Sequence, residues 1–149
     1  MKNLIFNYLR VLCACAILAV SSLSAQSGRR IIANVPFDFA VMGQHLRAGS
    51  YSLTTNLIQG TVFVRGEEND SAMFALTIAT QAPKSQIQPK LVFNRYGDRY
   101  FLAQVWPPET DQGRLLPTSK EERELARAAG RPEVVALLAT VPKPPKTGH

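Results

Sequence analysis

The central feature of this chain is the sequence LVFNRYGDRYFLAQVW at residues 91–106. Gly97 and Asp98 stand between two runs rich in aromatic and β-branched residues, which is a strong signal for a two-residue hairpin loop. Glycine at the first loop position favours a type II′ turn, whose twist matches that of the flanking strands. The sequence therefore predicts a β-hairpin with a tight turn at Gly97-Asp98.

The two-residue loop also sets the register of this hairpin, because it pairs Tyr96 with Arg99 and each further residue with its counterpart. One predicted face holds Leu91, Phe93, Arg95, Tyr100, Leu102, Gln104 and Trp106, and the other holds Val92, Asn94, Tyr96, Arg99, Phe101, Ala103 and Val105. Both faces are substantially apolar, as in a strand pair that is covered on two sides. We therefore place the hairpin at the centre of the fold.

Several strands are predicted before the hairpin. Apolar residues recur with a period of two from Ile31 to Val41, which predicts one strand with a buried face. Pro36 cannot donate to a ladder, so this strand is expected at a sheet edge or with a bulge. Turn residues separate three further strands at Ser50 to Asn56, Thr61 to Arg65 and Ala72 to Ala79, and Thr80 to Lys90 is predicted to be an irregular loop.

A helix is predicted after the hairpin. Pro107-Pro108 ends the preceding strand, and a helix is expected at about residues 119–129. Its first turn follows a capping-box pattern, either Thr118 with Glu121 or Ser119 with Glu122. Gly130 and Pro132 end it. So short a helix is marginal alone in water, so it must dock through Leu125 and its alanines.

The chain closes with one more strand and a tail. Glu133 to Thr140 is predicted to be a strand, since it begins with β-branched residues after a proline. Residues 142–149 contain three prolines and are expected to form a disordered tail. Seven predicted strands and one late helix favour a mainly β, single-domain fold over residues 26–141. We expect an antiparallel β-sandwich or a partly open barrel with one short C-terminal helix.

The first 25 residues are predicted to be a signal peptide. Lys2 and Arg10 precede an apolar run from Val11 to Val20, and a stretch of small residues follows it. The run is about half the roughly 20 apolar residues that a membrane-spanning helix needs. Cleavage is expected after Ala25, with a shift of a residue or two possible. A lipoprotein site ending at Cys15 is the disfavoured alternative, because the apolar run before it is too short.

The predicted location is therefore the periplasm or the extracellular space, with no transmembrane span in the mature chain. Both cysteines, Cys13 and Cys15, lie within the signal peptide, so the exported chain has no thiol. The net charge is +6, but the basic residues alternate with acidic ones along the chain and form no continuous stripe. This distribution argues against nucleic-acid binding. No phosphate-binding glycine loop, zinc-protease pattern or nucleophile elbow occurs, so neither a cofactor nor a metal is predicted.

The candidate binding residues follow the central hairpin. Aromatic and basic side chains interleave at Arg95, Tyr96, Arg99, Tyr100 and Trp106, and a sugar or peptide could stack on such a platform. The favoured alternative is that the rings pack in the core while the arginines lie along them as cross-strand neighbours.

Two other groups of residues offer side chains that could carry chemistry. His45, the one histidine outside the tail, could serve a hydrolase together with acids such as Asp38, but a solvated turn residue is favoured there. The acidic tip Glu67-Glu68-Asn69-Asp70 offers oxygen ligands for calcium. A charged hairpin tip that blocks edge-to-edge association explains it better. No catalytic residue is therefore predicted.

Four stretches of the chain resemble a family of small exported β-rich proteins of soil-type Gram-negative bacteria. They are VPFDF at 35–39, LRAGSY at 46–51, FNRYGDRYFL at 93–102 and residues 119–127. The likeness covers most of the mature chain, and Arg95 to Leu102 is its most specific part. Such proteins commonly have histidine where this chain has Asn94, which argues against a metal or acid/base role there. The family has no assigned activity, so the resemblance implies export and a β-rich fold and supplies no catalytic residue.

Taken together, these features predict an exported, non-catalytic binding or structural module of the cell envelope or periplasm. The expected partner is an envelope protein or a glycan. The alternative is a small secreted hydrolase whose site is assembled from scattered residues.

Overall fold

The computed structural model describes residues 28–82 and 88–143. The predicted signal peptide and residues 144–149 of the predicted tail lie outside the described residues. The elements are β1 (Arg29–Val35), β2 (Phe39–Val41), β3 (Gln44–Leu46), β4 (Gly49–Asn56), β5 (Thr61–Gly66), β6 (Ala72–Leu76), β7 (Ile78–Gln81), β8 (Lys90–Tyr96), β9 (Arg99–Trp106), β10 (Gln112–Leu115), α1 (Lys120–Ala129) and β11 (Glu133–Leu138).

The strands form two sheets, so the predicted mainly β fold with one short helix is confirmed. The first sheet has the order β1-β4-β5-β6, and the second has the order β11-β8-β9-β10-β7, with β2 and β3 attached to β9. All pairs are antiparallel except β2 with β9. The two sheets share one core, with fully buried side chains such as Ile31, Leu53 and Val64 from the first sheet and Leu91 and Phe93 from the second. The arrangement is a β-sandwich and not a closed barrel.

The central position of the predicted hairpin is confirmed, since β8 and β9 lie inside the second sheet. Gly97 has φ of +60°, as a type II′ turn requires. The predicted pairs run from Tyr96↔Arg99 to Phe93↔Leu102.

The predicted faces are wrong beyond Leu102. Phe93 pairs with Leu102 but Val92 pairs with Gln104, so Ala103 is an extra residue in β9 and forms a bulge. One extra residue reverses the alternation of side chains. Val105 therefore joins Leu91 in the core, and Trp106 lies on the opposite face.

The prediction of a single strand from Ile31 to Val41 is wrong. Within this stretch the chain leaves the first sheet and enters the second. Pro36 ends β1, which lies at an edge of the first sheet as its proline predicts. The chain then turns, and β2 pairs with β9 in the second sheet. The carboxylate of Asp38 stabilises this crossing by accepting a hydrogen bond of 2.8 Å from the backbone N–H of Ala48.

A second predicted strand is divided in the same way. The stretch from Ala72 to Ala79 becomes β6 in the first sheet and β7 in the second. Thr77 lies between them and donates both its backbone N–H and its hydroxyl to the carbonyl of Gly60. The second half of β7, Thr80-Gln81, falls in the predicted Thr80 to Lys90 loop, of which residues 83–87 lie outside the described residues. β10 lies after Pro107-Pro108, where no strand is predicted, and it pairs with β7. Four-residue strands of this kind carry too little periodicity for detection.

The helix predicted at about residues 119–129 is confirmed as α1. Ser119 is its N-cap, and the Ser119 hydroxyl accepts a hydrogen bond of 3.1 Å from the N–H of Glu122. Gly130, with φ of +82°, ends it. Leu125 and Ala126 pack on the outer face of the second sheet, against Ala40, Tyr96 and Phe101. Among the described residues, no helix has the length and apolar character needed to cross a membrane.

Candidate functional site

The five residues predicted to bind a ligand do not form one platform. Arg95 lies over the ring of Tyr100, its register partner, at 5.4 Å. Tyr96 is buried under α1 on the opposite face of the hairpin. Trp106 is only 8% exposed and lies near the far end of β9, where its ring covers Gly113. Only Arg99 and Tyr100 border the same cleft.

The ring of Tyr100 is engaged by its neighbours. It stacks on Phe37 with ring centres 3.7 Å apart and planes 13° from parallel. Phe37 in turn contacts the buried ring of Phe93 edge to face. This packing follows the cross-strand alternative that the sequence favours over a stacking platform.

The cleft that Arg99 and Tyr100 border lies at the closed end of the central hairpin and has a volume of about 330 Å³. Its charged and aromatic lining consists of Asp38, Phe39, His45, Arg47, Asp98, Arg99, Tyr100 and Phe101, and we call it the hairpin-end cleft. The β2–β3 hairpin forms one wall, because β2 pairs with the start of β9. Residues from three separate segments therefore meet here.

Glu121 organises one side of this cleft. One carboxylate oxygen lies 3.2 Å from Nε2 of His45, and the other forms an ion pair with Arg99. Glu121 stands in the first turn of α1, where the helix dipole favours a negative charge. Glu121 is not among the residues that the sequence singles out for binding or catalysis. No local pattern signals it, since only docking of the helix brings it to His45.

Two charged groups in the cleft have no partner within the described part of the chain. The side chains of Arg47 and Asp98 form neither a hydrogen bond nor an ion pair there, and both are exposed. They carry opposite charges. The cleft therefore offers both a cation and an anion to a molecule that enters it.

Met42 stands at the tip of the β2–β3 hairpin, which forms one wall of the cleft. Met42 and Gly43 have φ of +50° and +90°, which is a type I′ loop. A bulky side chain is uncommon in the left-handed region and costs of order 1–2 kcal/mol there. Met42 is also 43% exposed. The loop thus presents a flexible apolar side chain to solvent at an energetic cost that glycine or asparagine would avoid.

The contact of His45 with Glu121 is the one arrangement in the cleft that resembles catalytic machinery. A base oriented by a carboxylate also needs a nucleophile or an activated water. Within residues 28–82 and 88–143, no serine or threonine hydroxyl hydrogen-bonds to His45. Asp38, the acid considered with it, already accepts the Ala48 N–H.

The acidic tip is held by bonds within the protein. Glu67 forms an ion pair of 3.1 Å with Arg30, and Asn69 accepts the N–H of Ser71. A hydrogen bond from Ser52 is the largest cause that lowers the pKa of Glu67 below its ordinary value, and Arg30 adds to it. Across the described residues, no group of three His, Cys, Asp or Glu side chains has a metal-binding arrangement.

Comparison with known proteins adds no identity. No family model matches the chain, and neither a curated protein nor a solved structure matches it.

Proposed function

We propose that this protein is an exported, non-catalytic binding module that captures a partner protein of the cell envelope through the hairpin-end cleft. The observation that carries the proposal is that the cleft exposes Arg47 and Asp98, two opposite charges whose side chains have no partner among the described residues. The exposed Met42 at the tip of the β2–β3 hairpin adds an apolar group to the same wall. A protein surface supplies carboxylates, cations and apolar side chains together. The partner is therefore one that places an acidic and a basic side chain near an apolar pocket.

The geometry favours a protein over a glycan. Sugars bind well where an aromatic ring offers a free face, and the ring of Tyr100 already contacts Phe37 and Arg95. The phenyl rings of Phe39 and Phe101, which also border the cleft, are buried. Methionine, by contrast, adapts to varied apolar surfaces and is frequent at protein-binding sites.

The hydrolase alternative has weaker support. His45 and Glu121 supply an oriented base, but Arg99 shares the same carboxylate. The described hydrogen bonds bring no hydroxyl to His45. We therefore assign the contact to holding α1 against the β2–β3 hairpin.

The proposal that the protein is exported rests on its sequence. The charged start, short apolar run and small-residue stretch of residues 1–25 support it, as does the resemblance to small exported proteins. N-terminal sequencing of the protein from the periplasmic fraction is expected to begin at or near Gln26.

The test uses this mature protein as bait for proteins of the envelope fraction. The decisive variant is Arg47→Glu/Asp98→Lys, which reverses these two charges without changing the net charge. We expect it to bind the captured partner at least about tenfold more weakly, because like charges then face each other. Met42→Asn is expected to weaken binding while stabilising the hairpin, since asparagine tolerates a positive φ. Affinities of the purified partner for each variant give the measurement.

The matched control is Arg131→Glu/Asp70→Lys, which makes the same charge exchange at two exposed residues outside the cleft. It is expected to bind like the wild type. Equal affinity of the wild type and the Arg47→Glu/Asp98→Lys variant, with both proteins folded, would refute this cleft as the binding surface. Recovery of the uncut chain only from the cytosol would refute export.

A further inference from the structure

Arg114 is a buried cation beside the end of β9 that lies away from the hairpin-end cleft. It lies in β10 and pairs with Val105 of β9 and Ala79 of β7. Val105 is fully buried, and Arg114 itself is only 5% exposed. Arginine is rarely buried to this degree unless it is paired.

The pairing of Arg114 is incomplete. Nη2 donates a hydrogen bond to the carbonyl of Leu57. The Nε group is buried and has no hydrogen-bond partner among residues 28–82 and 88–143. A guanidinium carries five N–H donors, so one carbonyl satisfies only a small part of its capacity.

No carboxylate side chain neutralises this charge. All 11 Asp and Glu residues of the chain lie within the described ranges. None of them forms an ion pair with Arg114. A buried charge without a counter-charge is strongly unfavourable, whereas a hydrogen-bonded anion beside it restores the balance.

A cleft of about 470 Å³ opens at this guanidinium. Besides Arg114, it is lined by Leu57, Ala79, Thr80, Gln81 and Gln112. The lining contains no acid, and the hydroxyl of Thr80 and the two amides are potential donors to an anion. We call it the Arg114 cleft, and it shares no residue with the hairpin-end cleft.

We propose that the Arg114 cleft binds a small oxyanion, a carboxylate or a phosphate, whose oxygens accept hydrogen bonds from the guanidinium. Arginine is suited to this because its planar fork matches two oxygens at once and its charge is permanent. The site is independent of the proposed partner-binding function, so either one can fail without the other.

The experiment is a titration of the folded, full mature protein followed through the arginine Nε–H signals in NMR spectra. Inorganic phosphate is added in one series and acetate in the other, at constant ionic strength maintained with sodium chloride. The Arg114 Nε–H signal is expected to shift and saturate in the millimolar range or below. The anion that saturates at the lower concentration identifies the class of ligand.

Two variants test the assignment. Arg114→Met keeps most of the buried volume, removes the charge and is expected to abolish saturable binding. The exposed Arg127→Met is the matched control and is expected to bind like the wild type. If Arg114→Met does not fold, the Arg114 and Arg127 signals of the wild type still provide the comparison. Equal, non-saturating shifts of both signals with both anions would overturn the proposal and leave Arg114 as a tether for Leu57.

Discussion

At the scale of single residues, the most informative pair is Asn94 with Glu122. Glu122 is only 5% exposed, and its carboxylate accepts a hydrogen bond of 2.8 Å from the side-chain amide of Asn94. Tyr96 lies on the same face, and burial first and the charge of Glu122 second raise the pKa of its phenol above the ordinary value of 10.0. Asn94 thus has a structural role, and Tyr96 belongs to the helix contact.

This environment makes stability depend on alkaline pH through Tyr96. In the unfolded chain the phenol ionises near 10.0, whereas in the folded protein it stays protonated to a higher pH. The contribution of this neutral phenol to stability is therefore fully present below pH 10, and it is lost as the pH rises through the folded pKa of Tyr96. Tyr96→Phe is expected to be nearly neutral at pH 7 and to lose less stability than the wild type above pH 10. Denaturant unfolding at several pH values measures this.

The control for this prediction is Tyr100→Phe, a phenol that is half-buried and lacks a hydrogen bond through its hydroxyl within the described residues. It is expected to follow the wild-type pH profile. Identical alkaline profiles for Tyr96→Phe and the wild type would show that the burial of this phenol has no energetic effect.

At the scale of elements, α1 depends on its cap and its docking face. A helix of ten residues is marginal in isolation. Ser119 satisfies one free N–H at its start, and Leu125 and Ala126 bury its apolar side. The structure thereby decides between the two capping patterns that the sequence allows, in favour of Ser119. Only half of this capping box forms. The N–H of Glu122 donates to the Ser119 hydroxyl, whereas the Glu122 carboxylate accepts from Asn94.

Ser119→Ala is expected to destabilise the protein by about 1 kcal/mol, because the N–H of Glu122 loses its acceptor. The matched variant Thr118→Ala changes an exposed residue just before the cap and is expected to stay within about 0.5 kcal/mol of the wild type. Urea unfolding measures both free energies. Equal losses for the two variants would contradict the assignment of Ser119 as the cap.

At the scale of the whole molecule, the two sheets are joined at one corner by the chain's last described segment. Ile32 in edge strand β1 and Thr140 after β11 exchange two backbone hydrogen bonds of 2.8 Å. The bridge ties the edge of the first sheet to the edge of the second. It also protects part of β1, which would otherwise present an open edge for association.

Thr140→Pro removes the N–H that donates to Ile32, and we expect a loss of roughly 1–3 kcal/mol because a backbone carbonyl loses its partner. Val141→Pro is the control, since Val141 is exposed and its N–H has no backbone partner among the described residues. It is expected to change stability by less than about 0.5 kcal/mol. Hydrogen exchange of the Ile32 amide gives a local readout. Unchanged exchange and stability in Thr140→Pro would show that the corner is not a stabilising contact.

The amino-acid sequence by itself determined the parts of this protein that depend on neighbouring residues. The type II′ turn at Gly97 and the helix that ends at Gly130 follow from local backbone preferences. These preferences act over a few residues, so a single sequence is enough to recognise them.

Only the tertiary structure decided where strands change sheets and which charges meet. The bulge at Ala103 and the break at Thr77 depend on how one sheet packs on the other, which no local pattern records. Glu121 reaches His45 because α1 docks beside the central hairpin, and Arg114 is buried because β10 inserts between β9 and β7. Contacts between residues far apart in the chain arise from the packing of the whole molecule, and both proposed sites consist of such contacts.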